Sequence, residues 1–370
     1  MNNSLNHHRI EGLDFARALA MFGMLVMNFM VSTGAQGNGA PALVWFTNLF
    51  EGRAAATFVT LAGIGITLMT RKARVTAEQS VIQNARTSLL KRSLFLFVLG
   101  MLLYSIGWSG DILHYYGFFM CFAAFIILTS PKFIIVLLAT IALVAQFCQV
   151  FFNYMHGWNP TQPFLEYLDF WTVTGFLRNL FFNGYHPIFP WFGFLLIGML
   201  IGRLNLSDAR TRKIILLMSL TLLTTTELLS RIFIHLFSKS ILDMESALFI
   251  FETGPFPPNI FYLLSNSASA LLVIMLSIYI VTKWSNNPLI RSLIYTGQLT
   301  LTHYVSHVVI GIVILLLFDK VVLYNGYVAQ PLLPIFLYAC GFFIVSIIFS
   351  AFWRRKYSRG PIEMLMRRWS

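Results

Sequence analysis

The stretch LDFARALAMFGMLVMNFMVS, residues 13–32, decides the fold class, because it is apolar and long enough to cross a bilayer as a helix. It also carries three strongly polar side chains. Asp14 and Arg17 are three residues apart, so they can pair on one helix face. Arg17 and Asn28 are separated by about 20° of rotation and roughly 16 Å of rise, so both lie on one stripe. Polar groups inside a membrane helix are costly and usually face a cavity or the protein interior. The stripe therefore predicts a functional cleft, and the alternative is a headgroup ion pair with Asn28 joining two helices.

The composition extends this interpretation to the whole chain. Of 370 residues, 57% are hydrophobic and 11% charged, whereas soluble domains carry about 25% charged residues. We therefore predict an all-α polytopic membrane protein with about ten transmembrane helices. The expected spans are residues 13–32, 46–70, 89–107, 111–129, 133–153, 187–204, 212–236, 258–282, 297–318 and 331–353.

Further features complete the expected organisation. Residues 1–12 are polar and lead into the first span without a cleavage site, which predicts an uncleaved anchor. The apolar residues of LEYLDFWTVTGFLRNLFF, residues 165–182, recur every three to four positions, which predicts an amphipathic helix at the outer interface. We expect an N-terminal half, residues 1–210, and a C-terminal half, residues 211–370, that ends in a basic tail.

The distribution of basic residues orients the chain and argues against a nucleic-acid partner. The formal net charge is +12, but with the N-terminus inside, 20 Lys and Arg fall in predicted cytoplasmic loops and span ends. Only 5 fall on the other side, and this asymmetry is typical of membrane proteins with positive cytoplasmic loops. Both termini are therefore predicted to be cytoplasmic, and membrane lipids are the expected surroundings.

The segment GWSGDILHYYG, residues 107–117, holds the strongest candidates for acid–base chemistry. Asp111 and His114 are three residues apart, so on a helix the carboxylate can orient the imidazole, as a general base requires. The alternative is structural, with Asp111 as a helix N-cap and His114 at the interface.

Other polar residues inside predicted spans are candidates for substrate binding or transport. His303 and His307 are four residues apart, which favours a hydrogen-bonded interior pair over a metal site, because no third ligand is near. Glu227 and Arg231 have the spacing of a helical ion pair. Arg53 and His186 are further candidate binding residues at predicted outer span ends. The three cysteines have no paired spacing, so no metal is expected, and no P-loop, GxSxG, HExxH or dinucleotide motif occurs.

Six segments spread over nearly the whole chain carry a family resemblance. They are RIEGLDFARALAMFGMLVMNF (9–29), EGRAAATFVTLAGIGITLMTRK (51–72), GDILHYYG (110–117), PWFGFLLIGMLIGRL (190–204), LTLTHYVSHVVIG (299–311) and YSRGPIEMLMRRW (357–369). Together they resemble the YeiB-like family of bacterial inner-membrane proteins. The first two segments also resemble heparan-α-glucosaminide N-acetyltransferase, and the Arg17–Asn28 spacing parallels an Arg-x10-His pattern of membrane O-acyltransferases.

The resemblance implies a multi-pass enzyme that moves an acetyl group from cytosolic acetyl-CoA to a sugar on the far side of the membrane. It places Arg17 at the phosphates of the coenzyme, and it places Asn28 along a tunnel that leads from the coenzyme towards the outer leaflet. The chain departs from its relatives in three places. Asn28 stands where O-acyltransferases have a catalytic histidine, residues 45–51 lack the histidine of the N-acetyltransferase, and His303 stands where YeiB-like proteins usually have Asn.

The leading hypothesis is an acyl-CoA-dependent membrane acyltransferase, with His114 as base, Asp111 orienting it and Asn28 lining the path. The acceptor would be an envelope glycan or a lipid-linked molecule, the location the bacterial inner membrane, and a homo-oligomer is left open. The alternatives are a small-solute transporter and a non-catalytic envelope protein. In a transporter, the residues along the path would be Glu227, Arg231, His303 and His307.

Overall fold

The computed structural model describes residues 9–370, which are helical apart from turns and one isolated β-bridge between Trp158 and Tyr167. The all-α class is confirmed, while the first eight residues of the expected anchor lie outside the described part. The helices are α1 (Glu11–Thr33), α2 (Pro41–Asn48), α3 (Arg53–Met69), α4 (Arg71–Thr76), α5 (Gln79–Ser105), α6 (Leu113–Ile126), α7 (Pro131–Phe151), α8 (Val173–Arg178), α9 (Ile188–Ile201), α10 (Ala209–Phe237), α11 (Met244–Phe251), α12 (Ile260–Lys283), α13 (Pro288–Gln298), α14 (Thr300–Ser306), α15 (Val313–Leu317), α16 (Leu332–Trp353) and α17 (Pro361–Trp369). Two π-helical segments, Asn179–Asn183 and His307–Ile312, follow α8 and α14.

Eight helical segments of the described chain are long and apolar enough to cross a bilayer, so the protein is a multi-pass membrane protein. They coincide with eight of the ten expected spans. The other two expected spans correspond to α6, which has 14 residues, and to α9, which follows Val173–Asn183 across a bend of 51°. The count of ten, the division into halves and the cytoplasmic position of both termini stay predictions.

Helix α1 lies inside the bundle. Its first turn carries Glu11 and Asp14, which suit the positive end of a helix dipole, and Gly34 ends it in the left-handed conformation at φ 64°. It packs against α3, α12, α13 and α16. Most of its side chains are buried. The polar stripe of α1 therefore faces other helices or the cavities between them.

Close packing of α3 against α9 depends on two glycines. A Cβ on Gly63 would lie 2.1 Å from the carbonyl oxygen of Leu195, and one on Gly198 would lie 2.1 Å from that of Thr60. No side chain fits at either position, so the two backbones approach as small residues allow in membrane bundles. This contact fixes α9 beside the helix that follows Gly52.

The expected amphipathic helix over residues 165–182 is wrong in its first half. The chain becomes helical only at Val173, and residues 165–172 form turns. Tertiary hydrogen bonds replace helical ones there, because Tyr167 donates its hydroxyl to Asn183 Oδ1 at 2.7 Å and Arg178 pairs with Asp169 at 2.6 Å. Apolar periodicity alone could not reveal these partners.

Candidate functional site

The N-terminal end of α1 holds a buried carboxylate shared by two arginines. Asp14 is 1% exposed and accepts hydrogen bonds from Arg17 Nη1 at 2.6 Å and from Arg9 Nε and Nη2 at 2.6 and 2.9 Å. Gln298 Nε2 adds a contact at 3.3 Å. The predicted Asp14–Arg17 pair is therefore present. Because one carboxylate faces two guanidinium groups, the cluster keeps a net positive charge.

A cavity of about 700 Å³ opens beside this cluster, and we call it the inner cavity. One part of its lining is basic and comes from the two chain ends and α5, and another part is apolar. The arginines are Arg9, Arg17, Arg92, Arg359 and Arg367. The apolar side chains include Phe58, Leu96, Leu113, Tyr116 and Met120. The inner cavity thus joins a cluster of positive charge to an uncharged pocket inside the bundle.

The C-terminal helix α17 forms one wall of the inner cavity. Glu363 accepts hydrogen bonds from the backbone N–H groups of Leu301 and Thr302, at 2.8 and 3.2 Å, and from the Thr302 hydroxyl at 2.5 Å. These donors lie at the start of α14, where backbone N–H groups lack partners within the helix. Burial raises the pKa of Glu363, although the Thr302 hydrogen bond opposes the shift.

A second, smaller cavity of about 70 Å³ lies further along α1, and we call it the outer cavity. Its polar lining includes Asn28, Glu51 and His186. Met24 and Ile112 also line it, while Leu113, the next residue, lines the inner cavity. Two adjacent apolar residues, Ile112 and Leu113, therefore line different cavities, and we call them the layer between the cavities.

Asp111 and His114 form a buried, fully enclosed pair close to this layer. His114 Nδ1 lies 2.8 Å from Asp111 Oδ2, and Asp111 Oδ1 accepts a hydrogen bond from the Tyr304 hydroxyl at 3.1 Å. His114 Nε2 has no hydrogen-bond partner in the described residues. The backbone of α5 approaches closely, since a Cβ on Gly100 would lie 2.2 Å from His114 N.

Aromatic rings surround the His114 imidazole. The ring centroids of Tyr115, Tyr104 and Phe170 lie 3.9, 5.8 and 5.9 Å away. The two side chains of the pair thus have no exposed surface. Their neighbours, Gly110 and Ile112 on one side and Leu113 and Tyr116 on the other, line the outer and inner cavities.

Tyr304 connects this pair to Asn28. Its carbonyl oxygen accepts a hydrogen bond from His307 Nδ1, so His307 Nε2 is the acceptor for Asn28 Nδ2 at 2.9 Å. His307 begins a π-helical segment, a distortion that is frequent at functional sites. A chain of polar contacts thus runs from Asn28 through His307 and Tyr304 to Asp111. Tyr304 was not among the residues predicted from the sequence, and its spacing of three from His307 was the available signal.

The remaining predicted residues have separate partners. His186 is buried, lines the outer cavity, and has no partner for Nδ1 in the described residues. His303 Nε2 lies 2.7 Å from Ser350 Oγ, so it joins α14 to α16. Among the described residues, no three His, Cys, Asp or Glu side chains form a group that could hold a metal.

The predicted Glu227–Arg231 pair is replaced by a pair between helices. Glu227 Oε1 binds Arg53 Nη2 at 3.1 Å and accepts the Ser265 hydroxyl at 2.6 Å. Arg231 lies on the exposed surface. Packing of α10 against α12 decides this outcome, because it brings closer partners than the next turn of α10. The residues proposed to line a transport path are therefore not gathered along one route.

Comparison with known families gives two matches that together span residues 9–370. Residues 9–238 match the family described as heparan-alpha-glucosaminide N-acetyltransferase, catalytic. Residues 202–370 match a family described as protein of unknown function, DUF418. No curated protein matches the chain significantly. The resemblance inferred from sequence segments is confirmed by these matches.

Proposed function

The chain belongs to the family described as heparan-alpha-glucosaminide N-acetyltransferase, catalytic, and on that premise we propose that this acyltransferase-like protein transfers acyl groups across a bacterial inner membrane. The donor is acetyl-CoA or another acyl-CoA at the inner face. The acceptor is a sugar or lipid-linked molecule of the cell envelope at the opposite face.

One observation carries the proposal: the inner cavity joins five arginines to an apolar pocket. Coenzyme A has the same division, since several phosphates are attached to a long uncharged arm that ends in the thioester. Guanidinium groups bind phosphate oxygens strongly and with defined geometry. An acyl-CoA bound in this cavity would place its phosphates at Arg17 and Arg367 and its arm towards Leu113 and Tyr116.

The outer cavity offers polar groups for an acceptor. Asn28, Glu51 and His186 supply hydrogen-bond donors and acceptors suited to hydroxyl or amine groups. Transfer requires that the layer between the cavities open. Met24 lines the outer cavity together with Ile112, and its flexible thioether side chain can move without breaking a hydrogen bond.

The transfer needs a group that accepts a proton. The acceptor oxygen or nitrogen attacks the thioester carbonyl, the carbon–sulfur bond breaks, and the proton lost by the acceptor ends on the coenzyme thiol. We propose His114 as the base once opening of the layer exposes it, because Asp111 holds Nδ1 and leaves Nε2 without a partner in the described residues. His186 is the competing candidate, because it lines the outer cavity.

Binding of acetyl-CoA to the purified protein tests the proposal most directly. Two adjacent arginines provide a matched pair, since Arg367 lines the inner cavity and Arg368 is not part of its lining. Arg367→Gln should weaken binding by roughly tenfold, as loss of one charged hydrogen bond implies. Arg368→Gln should leave it unchanged. Equal effects of both substitutions would contradict the proposed donor site.

The two histidine candidates are separated by transfer kinetics. Replacing the base should lower the transfer rate by about a hundredfold or more, with little change in acetyl-CoA affinity. His114→Gln should show this pattern and His186→Gln should not. The reverse result would assign the base to His186 and leave the acyltransferase proposal standing.

A small-solute transporter is the second candidate function. The observation in its favour is that the adjacent residues Ile112 and Leu113 line two different cavities, since alternating access needs a cavity on each side of a barrier. Absence of acetyl-CoA binding by the wild-type protein at roughly millimolar ligand would favour this candidate.

A further inference from the structure

A third cavity, of about 850 Å³, shares Arg9 and Arg17 with the inner cavity, and we call it the lateral cavity. It is formed by the start of α1, the end of α3 with α4, and the segment after α9. Its arginines are Arg9, Arg17, Arg71, Arg74 and Arg203. Asp14 is the one acid among its described lining residues, and it already binds Arg9 and Arg17. The lateral cavity therefore carries a large excess of positive charge.

Arg74 and Arg203 donate hydrogen bonds to neutral oxygen atoms, and Arg203 also has N–H groups without an acceptor in the described residues. Arg203 Nη1 donates to the Thr129 carbonyl at 2.7 Å, while Nε and Nη2 are buried without a partner in the described residues. Arg74 Nη1 donates to the Thr70 hydroxyl at 2.7 Å, and Nη2 donates to the Thr67 carbonyl at 2.5 Å. Burial, and then the charges of Arg203 and Arg71, lower the pKa of Arg74 to about 10. The unpaired N–H groups of Arg203 cost free energy because they are buried without an acceptor, and a small turn of this side chain towards an anion in the cavity would supply one.

The rim of the lateral cavity indicates where the anion comes from. Leu68, Val75 and Leu204 line it and are 37%, 72% and 46% exposed. Apolar side chains beside an arginine cluster at the predicted inner face suit acyl chains next to charged headgroups. The inner cavity differs, because its apolar lining lies within the bundle.

We infer that the lateral cavity binds the phosphate group of an anionic phospholipid headgroup. Arg74 and Arg203 bind the phosphate oxygens, and Leu68 and Leu204 contact the acyl chains. The chemistry recognised is a phosphate, which a soluble phosphate compound also carries, so the source is decided by experiment. The inference does not depend on the proposed transferase activity, since Arg74, Arg203 and Leu204 line the lateral cavity and are not part of the inner cavity lining.

Leu204 allows a test that leaves every arginine contact in place. Leu204→Glu adds a negative charge to the exposed rim, and Leu204→Gln adds a side chain of the same size without charge. Wild-type and variant proteins are purified in detergent with equal amounts of phosphatidylglycerol and phosphatidylcholine, and retained lipids are counted by native mass spectrometry. The wild type should retain phosphatidylglycerol preferentially. Leu204→Glu should reduce that retention by roughly threefold or more, and Leu204→Gln should not.

Removal of the phosphate ligands gives a second measure. Arg74→Gln combined with Arg203→Gln should lower phosphatidylglycerol retention by roughly tenfold or more, whereas Arg210→Gln, an exposed arginine outside the lining, should not. Equal retention of the two lipids by the wild type, or equal effects of Leu204→Glu and Leu204→Gln, would overturn the proposal. Displacement of phosphatidylglycerol by about 1 mM inorganic phosphate would overturn the lipid source in favour of a soluble phosphate ligand.

Discussion

Replacing Arg17 with alanine is expected to weaken acetyl-CoA binding by roughly tenfold. A hydrogen bond to a charged group contributes about 1.5–3 kcal/mol, which corresponds to roughly 10–150-fold in Kd. The lower end applies here for two reasons. Arg17 Nη1 is already bound to Asp14, and the side chain is 25% exposed, so solvent screens part of its charge. The remaining guanidinium nitrogens can bind the coenzyme phosphates.

The effect on folding should be smaller than the effect on binding. Without Arg17, Asp14 keeps both hydrogen bonds from Arg9 and the contact with Gln298. The loss of the Arg17 hydrogen bond to Asp14 is expected to lower the free energy of unfolding by about 1 kcal/mol. Arg17→Lys keeps the charge but not the forked geometry, so its Kd should lie between those of the wild type and Arg17→Ala.

Isothermal titration calorimetry of the purified protein with acetyl-CoA measures these changes. Titrations in about 0.05 M and about 0.5 M salt should show weaker wild-type binding at the higher concentration, because phosphate contacts at an open cavity are screened. Arg210→Ala, which removes an exposed arginine that is not part of the inner cavity lining, is the control. A Kd for Arg17→Ala within about twofold of the wild type, with the fold intact, would refute the assignment of Arg17 to the phosphates.

Three further predictions concern other parts of the molecule. Asn28→Ala should slow acyl transfer more than it weakens acetyl-CoA binding, because Asn28 lines the outer cavity and donates a hydrogen bond to His307. Equal losses in the transfer and binding assays would argue against a role of Asn28 in transfer. Packing of α17 should be tighter near pH 5 than near pH 8, measured by hydrogen exchange of residues 361–369. Burial raises the pKa of Glu363 above its ordinary value of 4.5, so its contribution to packing is present in acid and is lost as the pH rises through the raised pKa. Glu363→Gln should abolish this difference. Reporter fusions at Ser370 should report a cytoplasmic C-terminus, and an external signal would contradict the charge-based topology.

The sequence alone predicted those features that depend on one helix. Its composition required a membrane protein, because so few charged residues cannot cover a soluble surface. The spacing of Asp14 to Arg17 and of Asp111 to His114 predicted two pairs that the structure contains. The first prediction succeeds because Asp14 and Arg17 are three apart on α1 and are neighbours whatever the helix packs against. Asp111 lies just before α6, and its carboxylate reaches His114 because it accepts the backbone N–H of His114 at 3.0 Å, as a helix N-cap does, so the predicted pair and the predicted cap occur together.

Partners between helices were decided by the tertiary structure. Glu227 binds Arg53 rather than Arg231, Asn28 meets His307, and Glu363 reaches the start of α14. A buried polar group takes whichever partner packing brings closest, and spacing along its own helix carries no information about the helices that will surround it. The cavities have the same origin. The arginines of the inner cavity come from α5 and both chain ends. Its positive charge and its apolar lining therefore form only when the helices pack together.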